Sequence, residues 1–129
     1  MTAKNIMTSE VVTVSASATV KQAACLLTRE QISGAPVIDR QGRIVGILSE
    51  ADIVAKHGAR VKDIMSKIVS SVDEETSIEE MASLMTAEKI SRLPVLRGKK
   101  LVGIVSRADL VAAVARGIPI TLTTPIYDL

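Results

Sequence analysis

The sequence predicts an α+β fold made of two β-α-β-β-α repeats related by a pseudo-twofold axis, with the two sheets packed against each other. Three observations lead to it. First, the chain repeats itself. KNIM at 4–7 recurs as KDIM at 62–65, and ISGAPV at 32–37 recurs as ISRLPV at 90–95, both at an offset of 58. After a one-residue deletion, VGILSEADIV (45–54) meets VGIVSRADLV (102–111) at an offset of 57, with seven of ten positions identical. Chance similarity between apolar stretches would not keep Gly, Ser, Ala and Asp in the same order. Second, each copy mixes short apolar strands with amphipathic helical stripes. Third, a half of fewer than 60 residues buries too little surface to stand alone, so the copies share one domain. The first repeat spans 1–60, the second 61–117, and a tail at 118–129 falls outside the duplication.

Each copy opens on a KxIM turn and a brief strand, Val11–Val14 or Ile68–Val72. A helix follows. Val20, Ala23, Ala24 and Leu27, then Ile78, Met81, Ala82 and Met85, recur at 0, +3, +4 and +7, which is one buried stripe. Thr19-x-x-Gln22 and Ser77-x-x-Glu80 read as capping boxes at the helix starts. Two apolar strands around a polar turn come next: Pro36–Ile38 with Ile44–Leu48, and Pro94–Leu96 with Leu101–Val105. The turns DRQG and RGK supply a glycine for the reversal. A second helix closes each copy, near Glu50–Lys56 and at Arg107–Ala115. Gly58–Arg60 is a junction. The tail IPITLTTPIYDL is β-prone, broken by Pro119 and Pro125, and expected to lie along this domain or a partner subunit.

Composition narrows the chemistry. The 129 residues carry 16 Lys/Arg against 14 Asp/Glu, a net charge of +2, with 47% apolar and 23% charged residues. There is one Cys, one His and one Tyr, and neither Phe nor Trp, so the core is aliphatic. A single Cys and a single His exclude a disulfide framework and a Cys/His zinc cluster, and they leave His57 as the only base for a nucleophilic triad. The reading is non-enzymatic. Apolar runs such as Ile44–Leu48 are far shorter than the roughly 20 residues of a spanning helix, and no signal-peptide core opens the chain, so a cytoplasmic protein is expected. Basic residues cluster only at Arg97, Lys99 and Lys100 and at Lys56, Arg60, Lys62 and Lys67, without aromatics for stacking. A solvated polar face explains them better than nucleic-acid binding.

The repeated feature that carries chemistry is Ser49-x-x-Asp52 with its partner Ser106-x-x-Asp109, each where an apolar strand turns into a helix. Ser-x-x-Asp there is itself a capping box. The same place also suits a nucleotide. Free N–H groups at a helix start attract phosphate, a Ser hydroxyl adds a donor, and a carboxylate accepts from both ribose hydroxyls. The loop ahead of the second strand, Ile32-Ser33-Gly34-Ala35-Pro36 against Ile90-Ser91-Arg92-Leu93-Pro94, puts a phosphate-suited arginine where the first copy has glycine. Cys25 corresponds to Ser83 and reads as a tolerated small residue, His57 as an exposed helix-end histidine, and the five methionines as core filling.

With its duplication, KxIM openings, x-x-x-P-V strands and G-[IV]-[LV]-[ST]-x-x-D signatures, the chain resembles the cystathionine-β-synthase (CBS) domain pair, or Bateman module, over roughly residues 4–116. The resemblance implies a non-catalytic regulatory module that binds AMP, ADP, ATP or S-adenosylmethionine in clefts between the two halves, needs no obligatory cofactor, and pairs into a homodimer. Carried over by position, it implies a preferred cleft with Asp109 for ribose, Ser106 and Arg92 for phosphate, and Met7, Val12, Ile32, Ser33 and Ile104 around adenine. A second cleft would use Asp52 and Ser49, with adenine near Met65, Ser70, Ile90 and Ser91. That second cleft has Gly34 where the first has Arg92, so the Arg92 cleft ranks first. The competing readings are a structural dimerisation module with empty clefts and, behind it, a nucleic-acid-binding protein.

Overall fold

The computed structural model describes residues 1–67 and 70–117, so part of the strand expected at Ile68–Val72, and the whole tail, lie outside the described residues. The described residues form seven strands and six helices in the expected α+β order. Short helices α1 (Ala3–Ile6) and α4 (Val61–Ile64) stand where the sequence suggested KxIM turns. The main helices are α2 (Val20–Glu30), α3 (Glu50–Ala55), α5 (Ile78–Glu88) and α6 (Arg107–Ala115). The strands are β1 (Val14–Ser15), β2 (Gly34–Ile38), β3 (Ile44–Ser49), β4 (Ser66–Lys67), β5 (Val72–Asp73), β6 (Arg92–Arg97) and β7 (Lys100–Ser106). The strand expected at Val11–Val14 is shorter and later, because only Val14 and Ser15 find partners, Val37 and Ile38 of β2.

The chain divides into two compact units. Among the described residues, one holds 10–67 with 99–101; the other holds 1–9, 70–98 and 102–117. These units do not coincide with the sequence repeats, because each opening KxIM segment packs into the unit of the other copy. In the first-repeat unit the sheet order is β1-β2-β3-β4, with β1 parallel to β2 and the other pairs antiparallel. Its core joins Val14, Ala23, Leu27, Val37 and Leu48 to Val61 and Ile64 of α4. In the second-repeat unit the order is β5-β6-β7, and the core joins Val72, Ile78, Met81, Leu93 and Val105 to Ala3 of α1.

Matching hydrogen bonds seat the two opening segments. Ala3 N–H donates to Thr76 C=O at 2.8 Å and Lys4 N–H to Glu74 C=O at 3.0 Å. In the other unit Val61 N–H donates to Ala18 C=O at 2.9 Å and Lys62 N–H to Ala16 C=O at 3.0 Å. Beyond each short helix the chain runs along the strand that carries the Gly signature. Thr8 exchanges two backbone hydrogen bonds with Ile104, at 2.9 and 3.0 Å, and Ser66 pairs with Ile47. The close approach explains the glycines. A Cβ at Gly46 would meet the Ser66 carbonyl oxygen at 2.8 Å, and one at Gly103 would meet Met7 Cγ at 2.8 Å.

Helix starts and ends follow the sequence closely. Thr19 and Gln22 form the full capping box, at 3.1 and 2.9 Å. Ser77 accepts the Glu80 N–H at 3.1 Å, without the return bond from the Glu80 side chain, so that box is half formed. Both long helices end in a left-handed residue, Gln31 and Lys89.

Candidate functional site

In the second-repeat unit β7 delivers Ser106 to the start of α6. Its side chain accepts the Asp109 N–H at 3.1 Å, and Asp109 Oδ2 accepts the Ser106 N–H at 2.7 Å. Arg107 N–H donates to the Ser91 carbonyl at 2.9 Å, which fastens the loop carrying Ile90, Ser91 and Arg92 to the same helix start. Arg92, the first residue of β6, is half-buried and donates through Nη1 to the Ser91 hydroxyl at 3.2 Å. Met7 and Ile104 belong to this unit too, Met7 packed on β7 at Gly103. Ser70 also lies here, its hydroxyl donating to the Glu88 carboxylate.

The first-repeat unit repeats the arrangement around Ser49 and Asp52. Glu50 N–H donates to the Ser33 carbonyl at 2.9 Å, so Ile32 and Ser33 sit beside the start of α3. Met65 packs on β3 at Gly46, and Val12 precedes β1. Of the residues expected around the preferred nucleotide, Met7, Arg92, Ile104, Ser106 and Asp109 therefore belong to the second-repeat unit, and Val12, Ile32 and Ser33 to the first. Of the second set, Ser49, Asp52 and Met65 belong to the first-repeat unit, and Ser70, Ile90 and Ser91 to the other.

Both Ser-x-x-Asp motifs thus cap helices, yet their carboxylates differ. Asp52 is buried, at 6% exposure, and both of its oxygens are engaged. Oδ2 accepts the Ser49 N–H at 2.9 Å and the Ser49 hydroxyl at 3.0 Å, while Oδ1 takes the Lys56 ammonium at 2.8 Å. Burial pushes the Asp52 carboxyl up, but Lys56 and the two Ser49 donors outweigh it and hold the carboxyl below the ordinary aspartate range. Asp109 is half-buried and has no ion pair among the described residues; its Oδ1 accepts no hydrogen bond there. A carboxylate with a whole oxygen uncommitted, at the edge of solvent, is suited to accept hydroxyl donors.

Lys56 was not singled out as a partner of Asp52 in the sequence, although the i,i+4 spacing on a helix was a signal for it. Cys25 is exposed on α2. Among the described residues no three His, Cys, Asp or Glu side chains group as metal ligands, and no helix is long and apolar enough to cross a membrane.

Comparison with known proteins agrees with this architecture. The family model for the CBS domain matches twice, at residues 3–57 and 61–116. The chain belongs to the CBS-domain family. Inosine-5'-monophosphate dehydrogenase of Methanocaldococcus jannaschii is 34% identical over 111 residues, covering 84% of this chain but 22% of that enzyme, so the chain spans about a fifth of that relative. Among solved structures, CBSX2 of Arabidopsis thaliana in complex with AMP superposes with a TM-score of 0.83 at 31% identity, over 89% of this chain and 96% of that one. The CBS domain pair of protein MJ0100, in complex with 5'-methylthioadenosine and S-adenosyl-L-methionine, gives 0.85 at 25% identity, over 92% and 98%.

Proposed function

We propose that this chain is a regulatory module that binds an adenosyl ligand, AMP first among them, and relays its occupancy to a partner protein. In this reading the Asp109 carboxylate accepts the ribose hydroxyls, and Ser106 and Arg92 serve the phosphate. Met7, Val12, Ile32, Ser33 and Ile104 are the adenine-facing residues. The observation that carries the proposal is the Asp109 oxygen left uncommitted among the described residues at the start of α6, the helix start to which the Ser91 carbonyl fastens the loop carrying Arg92. The AMP complex of CBSX2 and the S-adenosylmethionine complex of MJ0100 support it as relatives in fold and family. The missing aromatics are no obstacle, because aliphatic side chains and backbone amides hold an adenine without stacking. The module is further proposed to act as a homodimer through the apolar face of α5 and α6, where Val111 and Val114 are 62% and 52% exposed.

A thermal-shift series with AMP, ADP, ATP, S-adenosylmethionine and adenosine tests the ligand class, since binding to the native state raises apparent stability. At least one adenosyl ligand should raise the unfolding temperature at sub-millimolar concentration. Arg92→Ala should weaken AMP by roughly tenfold or more, the worth of one charge-assisted hydrogen bond, and should leave adenosine nearly unchanged. Equal losses for AMP and adenosine would remove Arg92 from the phosphate. No shift with any of the five ligands would contradict the reading as a whole.

A further inference from the structure

The two copies of the Ser-x-x-Asp motif end differently, and the difference sits four residues beyond the carboxylate. Helix α3 stops at Ala55, and Lys56 is its last capping residue, in extended backbone with φ −116° and ψ 152°. From there its ammonium reaches back to Asp52 Oδ1 at 2.8 Å and donates to the Ile64 carbonyl at 3.2 Å. One cation therefore ties α3, the buried carboxylate and α4 together. In the second copy the aligned position is Ala113. Helix α6 is nine residues long rather than six, so Ala113 falls inside it and is fully buried. Among the described residues no cation pairs with Asp109 as Lys56 pairs with Asp52.

We propose that Lys56 is the residue that withholds the Asp52 carboxylate from ligands, so that the chain takes one adenosyl ligand rather than two. The proposal rests on the functional reading above and names the residue that makes its two carboxylate sites unequal. The physical argument is competition. Ribose hydroxyls offer Asp52 neutral hydrogen bonds, and they must displace a charge-assisted one that is already made in a buried setting. Ser49 already uses the other oxygen for two donors. At Asp109 a ligand displaces no hydrogen bond that a described residue makes to Oδ1. The absence of an arginine at Gly34 acts in the same direction, but it concerns the phosphate, whereas Lys56 concerns the ribose.

The opposite role for Lys56 is also physically sensible. A cation four residues from the carboxylate could stand in for the missing arginine and hold a phosphate. The same experiment separates the two. Calorimetric titration of the full chain with AMP, checked by equilibrium dialysis for stoichiometry, is run on the unaltered protein and on Lys56→Met, Lys56→Gln, Asp109→Asn and Lys56→Met/Asp52→Asn. Lys56→Gln keeps a donor for the Ile64 carbonyl, so a folding defect in the methionine variant does not hide the result. The unaltered chain should bind one equivalent, and Asp109→Asn should weaken it roughly 10- to 100-fold or abolish it. Both Lys56 variants should gain a second equivalent, roughly tenfold or more weaker than the first for want of an arginine at Gly34, and Asp52→Asn should remove it again. A stoichiometry of one in both Lys56 variants overturns the proposal while leaving the functional reading intact. So does a loss of binding in them, which would make Lys56 a phosphate ligand, and so do two equivalents in the unaltered chain. No binding of AMP to any of these proteins removes AMP as the ligand of the functional reading, and this proposal with it. Carbon-13 NMR titration of the Asp52 carboxyl reads the ion pair without ligand. Its midpoint should rise on Lys56→Met, and a midpoint that does not move also overturns the proposal.

Discussion

Asp52 and Asp109 occupy the same place in two copies of one motif, and their surroundings differ. The carboxylate of Asp52 is a structural anchor. Its folded value is depressed, so its contribution to stability is fully present above the ordinary aspartate range near pH ~3.9 and is lost as pH falls through the lower folded value. Asp52→Asn should therefore cost about 1–2 kcal/mol at neutral pH, discounted for the half-exposed Lys56, and should cost less as the pH falls below the ordinary aspartate range. Urea unfolding from pH 2 to 7 measures this, and an equal cost at both ends of the range would contradict it. Much of the residue scale was legible beforehand. The Ser-x-x-Asp pairs and the contrast of Arg92 with Gly34 are written in the repeat. What could not be read from the motifs was burial: the two Ser-x-x-Asp pairs are identical, and the one hint that Asp52 has both oxygens engaged is Lys56 four residues beyond it, where the second copy has Ala113.

At the scale of elements, strong local signals translated directly. Helix α6 runs from Arg107 to Ala115 as the pattern implied, and Thr19 and Ser77 cap α2 and α5. The short helices α1 and α4 escaped because four residues carry no periodicity to detect, and β4 escaped because its two residues acquire strand character only by lying beside β3. That contact gives the conserved-by-repeat glycines their meaning. At Gly46 an added Cβ would strike the Ser66 backbone oxygen as well as Met65, whereas at Gly103 the atoms it meets all belong to the Met7 side chain. Gly46→Ala should thus cost about 2–3 kcal/mol, and Gly103→Ala clearly less, because a methionine moves aside more readily than a strand. Denaturant titration of both variants decides it; equal costs would mean that the backbone contact at Gly46 is readily relieved.

At the scale of the whole molecule, the duplication was read correctly as a duplication, but its compact units are not the continuous repeats. Residues 1–9 complete the core of the second-repeat unit, and α4 completes that of the first. No local pattern encodes that exchange, because KNIM and KDIM are near-identical and either segment suits either copy. The proposed homodimer belongs to this scale as well. The groove between α5 and α6 measures about 530 Å³ and is lined by Ala82, Met85, Leu110, Val111 and Val114 together with Thr86 and Arg107, a mostly apolar surface that includes the exposed valines. Val111→Glu should shift the chain to monomer in sedimentation velocity, with its helical circular dichroism retained, and a dimer that survives it would place the interface elsewhere.

These scales meet in one claim: that Asp109, left with a free carboxylate oxygen, receives the ribose of an adenosyl ligand. Calorimetric titration of AMP into the full chain and into Asp109→Asn tests it most directly. The account predicts saturable sub-millimolar binding at one equivalent, weakened roughly 10- to 100-fold or abolished in the variant, as expected for lost hydrogen bonds to a charged group. Binding that is unchanged by Asp109→Asn would contradict it.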